Sequence, residues 1–504
     1  MRTLGMLLGL YFLIGGVVIY GLKNLIYYDE LLHAVSAQKI LSTQEYKSQV
    51  HEVLGHEIGH ARVPLMILYY AGPHKSYLLA GWFAIWGSSL ESLRIFVLLC
   101  GGVVVSLWYL VWDKYVGKKV AVLATLLLIT DPSFLLSRIL DWGPLAIQDI
   151  LKAVLLWMMC QIVVDEVKNK SLWWYGGIGI VAGLAIWEKF NAWWFVMPVM
   201  AIVISRLWYE KEQVWQRGLV LFGGVFAGLI PVVLLWWKRP WFLETSMESF
   251  GEFEKYRLLH LHNLNSSNLL LNYSSNWGDK LGQLWDVVAG RAIFDFIARE
   301  NFALEGVGGY LMLACGYLAI VFGKLFERRE RYWLGVWGGF AIWVELMRLF
   351  TPHANAIHHA LVIYPFVQVV MAIVFVRLYE IRPFLIKTLV ILVICAQMWI
   401  LVVGVLYVRE VKNVHAYWNG LLMNEVTKDL EMGTGRYVAI DWGLSLPVGF
   451  LSNGRVRVED LAAFYEAKCQ VKAKRKLEGV EFIGYEREED RVFETYYKDC
   501  LWVD

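Results

Sequence analysis

Apolar residues in this chain come in long unbroken runs, not in the narrow stripes of a soluble helix or the alternation of a half-buried strand. A helix that crosses a membrane needs about 20 mostly apolar residues. Eleven stretches fit, near 3–22, 95–113, 119–136, 145–164, 172–188, 190–206, 218–236, 306–324, 332–349, 358–376 and 387–408. The pattern predicts an all-α polytopic membrane protein with about 11 transmembrane helices. Three long stretches interrupt the runs, at 23–94, 237–305 and 409–504. The last is charged, with a strand-like run at Arg436–Ile440 and a helical run from Val458 to about Lys474. The expected division is a membrane domain, 1–408, with outside loops 23–94 and 237–305, followed by a small α/β extracytoplasmic domain, 409–504.

Composition agrees. Of 504 residues, 58% are hydrophobic and 18% charged, against roughly 45–50% and 25% in soluble domains. A mean hydropathy of +0.49 excludes a disordered chain. A net charge of +2 gives no basic stripe for a nucleic acid, so none is expected as a partner. Basic residues set the orientation. With the N-terminus cytoplasmic, the inside segments carry 16 Lys and Arg, against Arg138 and Lys189 in the short outside loops. The first run has no small-residue cleavage site before Lys23 and reads as a retained anchor in the inner (plasma) membrane. Cys100, Cys160, Cys315 and Cys395 fall inside spans as small apolar residues. Cys469 and Cys500 form an even pair in the outside tail, where a disulfide between them is expected.

Candidate chemistry gathers outside. The first span ends in Tyr27-Tyr28-Asp29-Glu30. Adjacent carboxylates at a membrane boundary suit a general base or a cation site, and equally a charged stop to a span. Further on stand Pro64-Leu65-Met66, the run Tyr70-Ala71-Gly72-Pro73-His74-Lys75-Ser76-Tyr77-Leu78, and Ser92-Leu93-Arg94. The next outside loop supplies Thr130-Asp131-Pro132-Ser133 and Arg138-Ile139-Leu140-Asp141-Trp142-Gly143-Pro144. Trp187-Glu188-Lys189-Phe190-Asn191, His358-His359-x-Leu361-x-x-Tyr364-Pro365 and Asp441-Trp442-Gly443-Leu444 follow.

In that order, and on that side of the membrane, these fragments resemble the GT-C membrane glycosyltransferases. The branch is that of the protein O-mannosyltransferases and lipid A aminoarabinose transferases, the dolichyl-phosphate-mannose-protein mannosyltransferase-like group. The resemblance is closest over residues 25–200 and weakest in the tail. It implies transfer of a sugar, with inversion, from a polyprenyl-phosphate donor to an acceptor hydroxyl on a protein, lipid or glycan at the outer face. Carried over residue by residue, it makes Asp29 the base, Glu30 its orienting partner or a ligand for a divalent ion, and Asp141 a second carboxylate. Lys75, Arg138 and Lys189 become partners of the donor phosphate, with His358 and His359 lining the donor site. Arg138 and Lys189 would also serve as cations snorkelling to the interface, Asp131 as a turn residue before Pro132, and Glu345 and Arg348 as a pair within a span. Trp241, Trp277 and Trp285 in the second long loop are expected over the groove, alongside membrane lipids.

A second motif competes. His56-Glu57-Ile58-Gly59-His60 matches H-E-x-x-H, which on a helix places two histidines one turn apart for zinc and a glutamate as base. It suggests a membrane metalloprotease. Gly59 interrupts the helix such a site needs, and no third ligand is evident beyond Glu91 or His74. The same histidines also read as a polar loop, or as contributors to a transferase metal site through His56 and His60. Many spans would suit a transporter too, but no internal repeat is visible.

Overall fold

The computed structural model describes residues 1–48, 53–58, 61–68, 70–164, 171–211, 213–238, 269–298, 309–310, 314–317, 323–351, 354, 356–410, 413–414, 418–433, 435–439, 443–460 and 480–483. It is a bundle of long apolar helices capped at one end by shorter elements. In chain order these are α1 (Arg2–Gly21), α2 (Tyr28–Leu41), the hairpin β1 (Val53–Ile58) and β2 (Ala61–Met66), α3 (His74–Trp86), α4 (Leu90–Tyr115), α5 (Lys118–Thr130), α6 (Pro132–Ser137) and α7 (Leu145–Val163). Then come α8 (Leu172–Glu188), α9 (Trp193–Glu210), α10 (Val214–Gly228) and α11 (Ile230–Lys238). Helices Leu269–Ala289, Arg328–Phe350, Phe366–Ile381 and Pro383–Arg409 complete the long elements.

Among the described residues, six helices are long and apolar enough to cross a membrane: α1, α4, α7, Phe190–Glu210, Arg328–Phe350 and Pro383–Arg409. A seventh would be the pair Ile357–Ile363 and Phe366–Ile381, bent by 40°. The expectation of eleven spans meets breaks that hydropathy does not register. The stretch 119–136 divides at Asp131-Pro132, because proline lacks a donor and Asp131 starts a new helix there, its Oδ1 accepting from Phe134 N at 3.0 Å. The stretch 218–236 divides at Leu229 into α10 and α11. Helix α8 has only 17 residues. Most of 306–324 lies outside the described residues.

Two cores hold the chain. The larger lies within the bundle and includes a ladder of rings, Trp108, Trp112, Trp333, Trp337, Phe340 and Phe366. Helices α8 and α10 pack there backbone to backbone. A Cβ on Gly183 would lie 2.8 Å from the Gly228 Cα, and one on Gly224 3.0 Å from the Gly179 Cα. Small residues spaced by four are how membrane helices come this close without a hydrophobic drive.

The smaller core joins α2, α3 and the start of α4 to the C-terminal elements. Those elements are helix Gly420–Met432, β3 (Arg436–Ala439), helix Ser445–Leu451, β4 (Val458–Asp460) and β5 (Val480–Ile483). The three strands form a parallel sheet in the order β4-β3-β5. The strand expected at Arg436–Ile440 is present. Residues 458–460, expected to begin a helix, instead extend as β4 because they pair with Tyr437–Ala439. Cys469, Cys500, Asp441 and Trp442 lie outside the described residues, as does Trp241. The four other cysteines are free thiols.

Candidate active site

The site begins with a corner. Where α1 ends, Arg94 of α4 donates to the carbonyl of Leu22 at 2.7 Å, which also accepts from Leu25 N at 3.0 Å, and to the carbonyl of Leu25 at 2.8 Å. The same guanidinium holds both oxygens of Glu30, at 2.8 and 3.2 Å, in the two-point geometry that suits arginine and a carboxylate. Glu30 also accepts the Tyr27 N–H at 2.9 Å, closing the first turn of α2. Buried and fully engaged, Glu30 fixes the direction in which α2 leaves the membrane helix.

Asp29, its neighbour, is left half-buried, one Oδ receiving the Tyr27 hydroxyl at 2.7 Å. The Tyr27 ring is itself stacked on Trp418, 4.1 Å between centroids, and meets Trp142 and Phe296 edge-on. Asp29 and Tyr27 form part of the wall of a cavity of about 360 Å³, shared with Trp142, Gln283, Asp286, Phe296 and His358. The phenol of Tyr70 titrates above its usual range through burial and, second, the charge of Asp29, which sets those groups near each other.

Residues 70–75 are strapped to the end of α8. Gly72 N donates to Glu188 O at 2.9 Å and Phe190 N to Tyr70 O at 3.0 Å. Any side chain at Gly72 would run into the carbonyl of Trp187. His74 Nδ1 bonds the buried Glu188 carboxylate. Lys75 is buried and reaches Asp141 Oδ2 at 2.9 Å and the Gly143 carbonyl at 2.9 Å. Gly143 has φ +73°, in the left-handed region that favours glycine. Asp141 accepts from Ala146 N at 3.2 Å.

Lys189 is buried too. Among the described residues its ammonium makes no hydrogen bond and no ion pair. Burial lowers it to about 8, against the attraction of Asp141, Asp29 and Glu188, in that order. Lys189 is thus a buried cation set among three carboxylates.

The expected residues thus divide. Asp29, Asp141, Lys75 and Lys189 come together, and His358 shares the cavity wall with Asp29. Lys75 and Asp141 are spent on each other. Arg138 is buried against Asp149, which also holds Lys152 at 2.5 Å. His359 packs on His358 and Trp194. Asp131 starts α6 and accepts from Tyr364 at 2.9 Å, so it is more than a turn residue. Arg348 pairs with Glu345 at 2.6 Å, as expected for two charges in one span.

One expectation fails on geometry. Residues 56–58 of the H-E-x-x-H motif belong to β1, paired antiparallel with β2 through Glu57 and Arg62, so the helix the zinc motif requires is not built. His60 lies outside the described residues, and the strand's pairing leaves no basis for the metalloprotease reading. Glu30, offered as a ligand for a divalent ion, is engaged by Arg94 and Tyr27, and among the described residues no three His, Cys, Asp or Glu side chains are grouped to hold one.

The sequence reading passed over His33 and Glu188. His33 lies one turn beyond Asp29 on the same face of α2, fully buried, its Nδ1 3.0 Å from Ser76 Oγ. Burial, then Lys75, Lys189 and His74, hold it well below the usual histidine range. The Asp29–His33 spacing of four was the available signal.

A half-buried carboxylate, a buried lysine and an aromatic-walled cavity thus meet at the helix ends. Residues 71–237 match the family model of dolichyl-phosphate-mannose-protein mannosyltransferase, a segment that includes Lys75, Arg138, Asp141 and Lys189. The resemblance to GT-C membrane glycosyltransferases of the protein mannosyltransferase type is borne out by that match. Similar solved structures include ArnT from Cupriavidus metallidurans bound to undecaprenyl phosphate, at 14% identity and TM-score 0.44, covering 92% of this chain and 90% of that one. Another is the archaeal oligosaccharyltransferase AglB from Archaeoglobus fulgidus, in complex with an inhibitory peptide and a dolichol-phosphate. It shows 12% identity and TM-score 0.48, covering 90% of this chain and 64% of that one. No curated protein matches the sequence.

Proposed function

We propose that this protein moves a sugar from a polyprenyl-phosphate donor to an acceptor hydroxyl on a protein, lipid or glycan, with inversion, at the outer face of the inner membrane. The observation that carries this reading is the juxtaposition of Asp29, half-buried on a cavity wall, with the buried ammonium of Lys189, which has no ion pair among the described residues. The family description, which names a dolichyl-phosphate-linked mannose, supports the donor class.

In this mechanism Asp29 accepts the proton of the acceptor hydroxyl as its oxygen bonds the anomeric carbon. The bond from that carbon to the phosphate oxygen breaks, and its electron pair leaves with the phosphate. Lys189 faces the growing negative charge in a water-poor site, where a fixed cation acts most strongly. The Tyr27 hydroxyl holds Asp29 in its rotamer, and Lys75 with Asp141 holds the 141–143 loop against the strap. Glu30 and Arg94 fix the corner from which Asp29 projects.

The test uses purified protein in detergent, a panel of radiolabelled polyprenyl-phosphate sugars, and membrane extract as acceptor. Asp29→Asn should lower transfer by roughly 10²–10⁴-fold, the range for loss of a general base, with folding and insertion intact. Glu57→Gln should leave it unchanged. Retained turnover in Asp29→Asn would remove Asp29 as the base.

A further inference from the structure

The cavity beside Asp29 has a wall the mechanism above does not use. It is built by the helix Leu269–Ala289, which contributes Gln283 and Asp286, and by the short helix Ala292–Ile297, which contributes Asp295 and Phe296. Phe296 packs edge-on against Tyr27 and Trp142, which also line it. Trp142 is 3% exposed and lines the cavity beside Tyr27.

On the same wall, Asp286 is held by Arg291 at 2.6 Å, and the same guanidinium lies 3.6 Å from Asp295. One cation shared between two carboxylates orients both. The Gln283 carbonyl oxygen lies 3.4 Å from an Arg348 nitrogen, which turns the amide without using its N–H donors. Aromatic rings, an amide and two oriented carboxylates around about 360 Å³ form a mixed wall. That wall suits a ring with apolar C–H faces and a rim of hydroxyls.

We infer that this cavity is a sugar-ring subsite, with Asp286 and Gln283 as its specificity-determining residues and Trp142 and Phe296 as its apolar wall. The inference rests on the transferase reading. Two sources share the chemistry, since the transferred sugar comes within reach of Asp29, and so does the acceptor's own sugar where the acceptor is a glycan.

The experiment measures binding of three probes to the full-length protein in nanodiscs. They are a short-chain polyprenyl phosphate, the same lipid phosphate carrying a hexose, and an octyl hexoside with no phosphate. Wild type is compared with Asp286→Asn and Gln283→Ala. If the donor sugar sits here, the variants lose about tenfold or more for the hexose-bearing lipid and nothing for the bare phosphate. If an acceptor sugar sits here, the loss falls on the octyl hexoside alone. Either result supports the subsite. Binding of all three probes unchanged in both variants overturns it. A loss equal for all three, with a lowered melting temperature, also overturns it, because Asp286 and Gln283 would then only shape the fold. If wild type binds no lipid phosphate but binds the octyl hexoside through Asp286, the subsite stands and the polyprenyl-phosphate reading falls.

Discussion

Lys189 shows at the residue scale how burial turns a common side chain into a reagent. An exposed lysine stays charged until about pH 10.4, whereas this one titrates at about 8 because desolvation outweighs the carboxylates around it. The sign follows. An anion is held by the protonated form, so affinity for a lipid phosphate is full below about pH 8 and falls as pH rises through it. The same lowering means that the folded state carries a desolvated charge at neutral pH, a cost relieved as pH rises above 8. Stability and donor affinity should therefore move in opposite directions across that window. Titrating polyprenyl-phosphate binding from pH 6.5 to 9.5 checks this, with Lys189→Arg as control, since its guanidinium stays charged throughout. A flat profile in wild type would remove Lys189 from the donor site.

At the scale of elements, glycines decide how closely helices approach. Gly179 and Gly183 of α8 face Gly224 and Gly228 of α10 with no room for a Cβ on either side. Gly183→Leu should force the pair apart and cost roughly 1–3 kcal/mol, as overpacking of a tight interface does, read as a lower melting temperature in detergent. Because Glu188 and Lys189 stand at the end of α8, donor binding should weaken with it. Gly218→Leu, on the partner helix α10 but facing open space, serves as the matched control.

These elements also mark how far the sequence could be read. Hydropathy identified α1, α4, α7 and Pro383–Arg409 because nothing interrupts them. It did not register breaks set by single residues, such as the Asp131 N-cap that ends α5, or Leu229 between α10 and α11. Segment order and side brought Asp29, Lys75, Asp141 and Lys189 to one place. Which charges were spent on structure was not legible. Whether Lys75 bonds Asp141 or Arg138 bonds Asp149 depends on contacts that no local pattern encodes. The H-E-x-x-H match erred for the same reason: its spacing assumes a helix, and pairing with β2 makes a strand.

For the whole molecule, the open question is whether the tail beyond residue 408 is a separate module or part of the site. Its contacts favour the second. Ile26 N donates to Trp418 O at 3.1 Å, Gly420 N to Asn24 O at 2.8 Å, and Trp418 is fully buried against the ring of Tyr27. Farther along, Gln38 Nε2 donates to Phe450 O at 3.0 Å, and Ser48 Oγ to Val456 O at 2.7 Å. Helix α2, which carries Asp29, is thus enclosed by α3 on one side and by the tail on another. Trp418→Ala should cost about 3–5 kcal/mol, as loss of a buried tryptophan does, and lower transfer because Tyr27 no longer holds Asp29 rigidly. Phe450→Ala, whose ring packs on Phe83 far from Asp29, should lower the melting temperature of the whole protein while sparing turnover. Both variants should unfold in one transition that includes the membrane helices, followed by intrinsic fluorescence and by the melting of α-helical circular dichroism. Two separate transitions, with the helical one unmoved by Phe450→Ala, would make the tail an independent domain and leave the positioning of Asp29 to the membrane helices alone.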